Sequence, residues 1–344
     1  MITKPTVLVL GAGASHPYGY PVGRTLLDDI IKGAANPGSP LFNDLTHVAG
    51  FDFVGANVKQ FSSELNGSAS QSVDAFLESR TDFIDMGRCA IASELLRYEK
   101  PDIIYATNDW YQYLFNEMYN RNQFESFGES KVSIITFNYD RSLEFCLFTA
   151  LRKSSQKSRA ECVDNFERIK IIHVHGRLGP SPTEESAWPP YGGIPITSND
   201  LARIARQITI IHEAKDDTPE LEAARSVLSQ AERICFLGFG FHERNLRRLF
   251  KGVTTVYSPT QTPSSTNWSL RSGVKIFGHN YDFYERERVD IQRFLPLPTC
   301  DWGDRKQSCK EFLREKAYCW VEGCRSQGRL LTMLHSRECW IPTC

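Results

Sequence analysis

The sequence predicts an α/β fold: a Rossmann-like parallel sheet with helices on both faces and an inserted helical subdomain. Two observations predict it. Short apolar runs of strand length alternate with segments whose apolar residues recur at helical spacing, the pattern of parallel strands joined by right-handed crossovers. Four of the runs lead directly into a short polar or glycine-rich motif. These are Gly11-Ala12-Gly13-Ala14-Ser15, Thr136-Phe137-Asn138-Tyr139-Asp140, His173-Val174-His175-Gly176 and Gly238-Phe239-Gly240. Open α/β sheets bind ligands at the carboxyl ends of their strands, so four motifs in that position describe one site built from distant parts of the chain.

The elements follow in order. Residues 6–10 form the first strand and 11–21 a turn rich in Gly and Pro. Val22, Leu26, Leu27, Ile30 and Ile31 share a helical face, and Gly33 offers a stop. The stretch 34–71 reads as loop, with Asn36-Pro37-Gly38-Ser39-Pro40 and a Ser/Gly/Asn run at 62–72. Ser72 suits the N-cap of a helix carrying Val73, Phe76 and Leu77. A longer helical pattern runs through Phe83, Ile84, Ala90, Ile91, Leu95 and Leu96, and Asn108 is placed to cap a third helix through Tyr111, Leu114, Phe115 and Met118. This block lacks strand alternation, so residues 46–130 are read as the inserted subdomain. The sheet resumes with Val132–Thr136, Ile169–Val174 and Ile234–Leu237, with 220–231 among the intervening helices. Val253–Tyr257 and Val274–Phe277 are expected at the edges. Pro296 and Pro298 mark a boundary. Residues 1–45 and 131–290 thus make the domain that carries the four motifs, and 291–344 a Cys-rich C-terminal tail with no assigned role.

Composition narrows the function. With 24% charged and 41% hydrophobic residues and a formal net charge of -1, the 344-residue chain has the make-up of a soluble globular protein and no global field for nucleic acid or a membrane. Arg244, Arg247 and Arg248 read as a solvated helix face rather than a phosphate patch. Val7-Leu8-Val9-Leu10 is too short for a secretory core, and no apolar stretch approaches the roughly 18 residues needed to span a bilayer, so a cytoplasmic location is expected. Cys146 and Cys235 lie in apolar runs as small hydrophobes. Cys300, Cys309, Cys319, Cys324, Cys339 and Cys344 contain no C-x-x-C and have only His335 among them, which favours reduced thiols over a zinc site.

Each motif carries its own chemistry. Gly11 and Gly13 allow close approach of a ligand, and the backbone N–H groups of such a turn can hold a diphosphate, with Ser15 as a further donor. The same residues also suit a tight structural turn. A dinucleotide-dependent dehydrogenase would want a third glycine where His16 stands, and an acid ending the second strand. Asn138 can hold a ribose hydroxyl or a water, or form an Asx turn. Asp140 can accept from ribose or adenine, or cap the following helix. His173 and His175 stand two apart where a strand ends, and one is expected to face the core or a helix and the other the ligand cleft. His175, beside Gly176 at the strand end, suits a cleft where it bonds or deprotonates a ribose hydroxyl, and His173 suits a structural role. Gly238 and Gly240 admit a ligand close to the backbone. Asn245, at the start of the next helix, could reach ribose or adenine or be an ordinary surface residue.

Together these motifs resemble the Sir2 (sirtuin) family, specifically its bacterial Sir2-like defence branch, from about residue 6 to residue 250. The glycine turn with Gly19-Tyr20-Pro21 and Arg24, the Thr136, Asn138, Asp140 pattern, His175-Gly176 and the Gly238 and Gly240 strand end each match a family element. Ser72-Val73-Asp74-Ala75-Phe76-Leu77 is similar to the defence branch. The chain departs from sirtuin deacylases in having no cysteine between Cys162 and Cys235, where that group carries its zinc module, so no metal is expected. It also has Gly19-Tyr20-Pro21-Val22-Gly23-Arg24 where the family has an acid and an aromatic.

The resemblance implies an NAD+ glycohydrolase that releases nicotinamide and ADP-ribose, depleting NAD+ in antiviral defence. Asn138 and His175 would be catalytic. Gly11, Ala12, Gly13, Ser15, Arg24, Thr136, Asp140, Gly238, Gly240 and Asn245 would bind NAD+. It also implies a homo-oligomer and a partner such as a HerA-type ATPase. Zinc-independent protein deacylation, ADP-ribosyl transfer and non-catalytic NAD+ or ADP-ribose sensing would use the same site and remain the alternatives.

Overall fold

The computed structural model describes residues 2–48, 56–120, 123–184, 189–193, 197–210, 217–253, 268–296 and 299–316. Six strands form one sheet: β1 (Thr6–Leu10), β2 (Val132–Thr136), β3 (Lys170–His173), β4 (Arg233–Leu237), β5 (Lys275–Gly278) and β6 (Asp301–Trp302). All pairings are parallel, and the order is β3-β2-β1-β4-β5-β6. The fold is therefore α/β and Rossmann-like, as the alternation predicts. The chain first builds outward from β1 through β2 to β3, then returns to lay β4 on its other side. The crevice between β1 and β4 is the switch point at which such sheets bind ligands.

The helices that shape the site are α1 (Gly23–Ala35), α2 (Ala56–Gly67), α3 (Val73–Ser79), α4 (Ile84–Leu96), α5 (Trp110–Met118), α6 (Ser142–Ser154), α7 (Pro219–Ser229), α8 (Glu243–Leu249) and α9 (Cys309–Lys316). They cover both faces of the sheet. Leu8, Leu10, Ile134 and Leu237 pack towards α1 to α6 and α9, whereas Val7, Val9, Ile135, Ile234 and Phe236 pack towards α7 and α8. Every residue of β1 and β4 is buried. A strand covered on both faces reads as an unbroken apolar run, which is why these strands are plain in the sequence.

Three expectations are corrected. Most of 34–71 is helical rather than loop. Ser39 Oγ accepts from Phe42 N–H at 2.9 Å and Pro40 opens a short helix Pro40–Asn43, a cap-and-proline start inside what reads as a turn. In α2, Val58, Phe61 and Leu65 are fully buried on one face. Gly33 does not stop α1, which continues to Ala35. A Cβ there would lie 2.9 Å from Leu41 Cδ2, so the glycine lets the next helix pack. The cap of α5 is Asp109, whose carboxylate accepts from Trp110 N–H at 2.6 Å, not Asn108. Ser72 does cap α3, accepting from Ala75 N–H at 3.2 Å.

Val253 bridges to Trp268, and the rest of the expected strand at 254–257 lies outside the described residues. So do Cys319, Cys324, His335, Cys339 and Cys344. Among the described residues, no helix is long and apolar enough to cross a membrane.

Candidate functional site

The sheet register brings the four motifs to one edge. Leu10 pairs with Thr136 on one side and with Leu237 on the other, and Thr136 pairs with His173. Gly11, Phe137, Val174 and Gly238 therefore leave the sheet side by side.

At the switch point the β1 and β4 turns touch. Gly11 N–H donates to Leu237 O at 3.1 Å and Gly13 N–H to Gly238 O at 2.9 Å. A Cβ on Gly11 would lie 2.7 Å from Gly238 O and from Phe239 Cα, and one on Gly238 would lie 2.0 Å from Ala14 N. Gly238 also has a φ of +54°, in the left-handed region. The glycines at these positions let two backbones meet, and the N–H groups of Gly11 and Gly13 are engaged there. Ala12–Ser15 then makes a single helical turn. Beneath Gly238 and Gly240, Phe241 has a φ of +49° and is held among Phe236, Phe239, Phe283 and Trp302.

Asn138 is fixed from both ends. Its Nδ2 donates to Gly11 O at 3.0 Å and to Ser15 Oγ at 3.1 Å, and its backbone N–H donates to Thr136 Oγ1 at 3.0 Å. Both amide protons are used, so the orientation of the group is set by chemistry. Ser15 passes its own proton to Asp140 Oδ2 at 2.8 Å. Asp140 Oδ1 accepts from Ser142 N–H at 3.1 Å and from the Ser142 hydroxyl. Since Ser142 gives its proton to Asp140, Tyr111 is the donor in the 2.7 Å contact between the two hydroxyls. Asp140 thus caps α6 and anchors the glycine turn. Burial pushes its carboxyl up, against the hydroxyls of Ser142 and Ser15, which favour the anion. Ser15 belongs to this network rather than standing free as a phosphate donor. Leu10, Ser15, Thr136, Asn138 and Asp140 line a small void with Tyr111, Leu143, Glu144 and Ile171.

The two histidines differ because β3 ends at His173, so His175, two residues on and past the strand, is not held to the same face. His173 Nδ1 lies 3.1 Å from the Asn138 carbonyl oxygen, and Nε2 lies 2.6 Å from Glu144 Oε1. It braces the backbone of Asn138. Burial pushes the Glu144 carboxyl up, but His173, with a backbone N–H and Arg177, more than offsets this and the carboxyl sits below its ordinary value. His175 is 7% exposed, and its Nδ1 is buried without a hydrogen-bond partner. Its ring packs against the rings on either side of Asn138, with centroids 5.5 Å from Phe137 and 5.9 Å from Tyr139. Burial lowers its pKa from the ordinary imidazole value, with Asp74 opposing and Arg248 adding to the effect. A neutral imidazole with a free ring nitrogen can take a proton from a hydroxyl or from water.

The other candidates fall in different places. Arg24 is outside this cluster: its side chain is 68% exposed on α1 and pairs with Asp28 at 3.1 Å. Asn245 is half-buried on α8. Arg248 corrects the reading of a solvated basic face, because it is buried and pairs with Glu78 of α3 at 3.1 Å. Arg244 pairs with the same carboxylate.

Three groups at the site lie outside the motifs. Asp74 of α3 accepts from the Tyr139 hydroxyl, so the Ser72–Leu77 segment is tied to the residue that follows Asn138. Glu99 and Arg141 form a buried pair behind the Asn138 loop, with Nε–Oε1 at 2.8 Å and Nη2–Oε2 at 2.9 Å. At the end of β5, Asn280 is buried with its Oδ1 unpartnered, next to His279. Only an apolar run ending in a polar pair, Phe277-Gly278-His279-Asn280, signals that last group in the sequence.

No curated protein matches the chain. Residues 132–274 match the model of the SIR2-like domain, a stretch that carries Thr136, Asn138, Asp140, His175, Gly238, Gly240 and Asn245 but leaves out the Gly11–Ser15 turn and Arg24. The match implies NAD+ binding and an NAD-dependent activity for this segment of the chain.

Proposed function

We propose that the chain is an NAD+ glycohydrolase. The observation that carries the reading is the Asn138 amide. Its two protons are committed to Gly11 O and Ser15 Oγ, which leaves Oδ1 for a ligand, and the unpartnered Nδ1 of His175 lies on the same strand edge. Water would attack C1′ of the nicotinamide ribose. The carbon–nitrogen bond breaks, its electron pair leaves with nicotinamide, and the oxygen of water ends on ADP-ribose. The transition state has the oxocarbenium character of glycoside hydrolysis. Asn138 Oδ1 orients the water or a ribose hydroxyl, and His175 takes the proton.

Gly11, Gly13 and Gly238 let the β1 and β4 turns meet at the switch point, the place where such sheets bind ligands. The missing cysteine pairs between Cys162 and Cys235 favour hydrolysis over protein deacylation. We further propose that the activity serves antiviral NAD+ depletion in a homo-oligomer, with a HerA-type ATPase as partner, on the resemblance of the Ser72–Leu77 segment.

The test is chromatography of nicotinamide and ADP-ribose released from NAD+, in parent, Asn138→Ala and His175→Ala. Folding is checked by circular dichroism and NAD+ binding by calorimetry. Each variant is expected to lose about 100-fold or more in kcat, the range of positioned proton transfer. Turnover that survives both changes removes the catalytic assignment. A parent that binds NAD+ without releasing nicotinamide, alone or with its neighbouring gene product, is a sensor.

A further inference from the structure

Gly238 faces two ways. Its carbonyl oxygen accepts from Gly13 N–H at 2.9 Å, closing the turn against β1. Its own N–H donates in another direction, to His279 Nδ1 at 3.3 Å. His279 follows β5, is 4% exposed, and donates its backbone N–H to Phe236 O at 3.0 Å. The other ring nitrogen, Nε2, lies 2.5 Å from Gln307 O. A carbonyl oxygen can only accept, so Nε2 carries the proton. In a neutral ring Nδ1 then keeps its lone pair, which is what the Gly238 N–H requires.

Cys309, the first residue of α9, brings Sγ to 3.7 Å from the same Nδ1. Burial pushes this thiol up to about 12, so it stays a thiol and can act as a second donor. The tautomer of His279 is therefore set by the segment just before α9 and read out at the β4 turn.

We infer that His279 is a positioning residue for the nucleotide. It holds the Gly238 turn in place, and so sets how that turn meets Gly11–Gly13. It takes its own orientation from Gln307 and Cys309. The C-terminal segment through α9, beyond the part that matches the SIR2-like domain, is on this reading a component of the site. The identity of the ligand rests on the NAD+ reading above, whereas the coupling of His279 to Gly238 does not.

Two substitutions separate the two ring nitrogens. His279→Asn keeps a polar atom near the place of Nδ1, and His279→Gln keeps one near the place of Nε2. The readouts are KM and kcat for NAD+, the Kd of ADP-ribose by calorimetry, and hydrogen exchange of the peptide containing Gly238. His279→Gln is expected to raise KM and Kd about tenfold, the effect of one lost hydrogen bond, with kcat within about twofold. It should also speed exchange at Gly238. His279→Asn should stay within about threefold of the parent in all of these. Equal behaviour of the two variants, or parent-like binding and exchange in a folded His279→Gln, overturns the inference. A parent that binds no ADP-ribose removes the NAD+ reading, and the exchange rates of the two variants then decide the positioning role alone.

Discussion

Glu99→Gln tests how the Asn138 loop is held. The parent pair is nearly sealed from water, with side-chain exposures of 2% for Arg141 and 1% for Glu99. The carboxylate takes both arms of the guanidinium and the Gly192 N–H at 3.0 Å, and Arg141 also donates to Pro180 O at 3.1 Å and Pro189 O at 2.9 Å. Burial pushes the Glu99 carboxyl up even with Arg141 on both oxygens, a measure of how poorly this place suits a lone charge.

The amide keeps the shape but removes the negative charge. Its NH2 must then face either the Arg141 Nε–H, or the Arg141 Nη2–H together with the Gly192 N–H, donor against donor. Breaking a buried pair costs about 3–5 kcal/mol. The two proline carbonyls still serve Arg141, which places the expected loss near the lower figure, about 3 kcal/mol. That is a large share of the roughly 5–15 kcal/mol that holds a domain folded.

Urea unfolding followed by circular dichroism and by tryptophan fluorescence measures the loss, coincident curves establishing one transition. The double variant Glu99→Leu with Arg141→Met, which removes both charges, is expected to recover at least about 1 kcal/mol over Glu99→Gln. A loss below about 1 kcal/mol with an unchanged urea dependence would refute the assignment of the pair as what holds the Asn138 loop against Pro180, Pro189 and Gly192.

Two further outcomes are expected. Gly238→Ala puts a Cβ 2.0 Å from Ala14 N at a φ of +54°, so the two turns must part and NAD+ binding should weaken more than tenfold. Gly273→Ala, with a φ of +78° but open space around it, should cost only about 1–2 kcal/mol of stability and leave binding unchanged, and calorimetry giving equal affinities would sink the argument. Burial lowers the pKa of both His175 and His279, so the unfolded chain takes up protons near 6.5 that the folded chain refuses. Their contribution to stability is present above that value and is lost as pH falls below it. Urea midpoints between pH 8 and 5 should therefore fall less steeply in His175→Gln than in the parent; a steeper fall contradicts the neutral, buried ring.

The parts legible in the sequence are those whose signal is local. Val7 to Leu10 and Ile234 to Leu237 announce themselves because both faces of each strand are covered. Asn138, Asp140 and Ser15 could be singled out because each sits just past a strand end, and the register carries them together. The helices of 34–71 were obscured by composition: Ser39-Pro40 reads equally as a turn or a helix start, and the Val58, Phe61, Leu65 face lies among serines and asparagines. Arg24 is a motif position whose side chain is exposed on α1 and paired with Asp28, a placement that the motif alone does not reveal. The ties from Asp74 to Tyr139, from Glu99 to Arg141 and from His279 to Gly238 leave no local pattern, since each joins residues more than 40 positions apart. What each partner does is decided only when the helices dock on the sheet.

The place of β1 has a consequence for how the molecule is made. It is the first of the six strands in chain order and the one that ends at the middle of the sheet, with Thr6 paired to both Val132 and Arg233. Its apolar residues must wait for neighbours that emerge after the helical block and after β3, and closing such long loops is slow compared with packing helices against one another. The growing chain therefore carries this sheet-forming segment unpaired until β2 emerges, and with one edge open until β4 does. Its protection in that interval falls to α1 and α5, which lie between the first two strands in the chain and cover the face of the sheet to which Leu8 and Leu10 point.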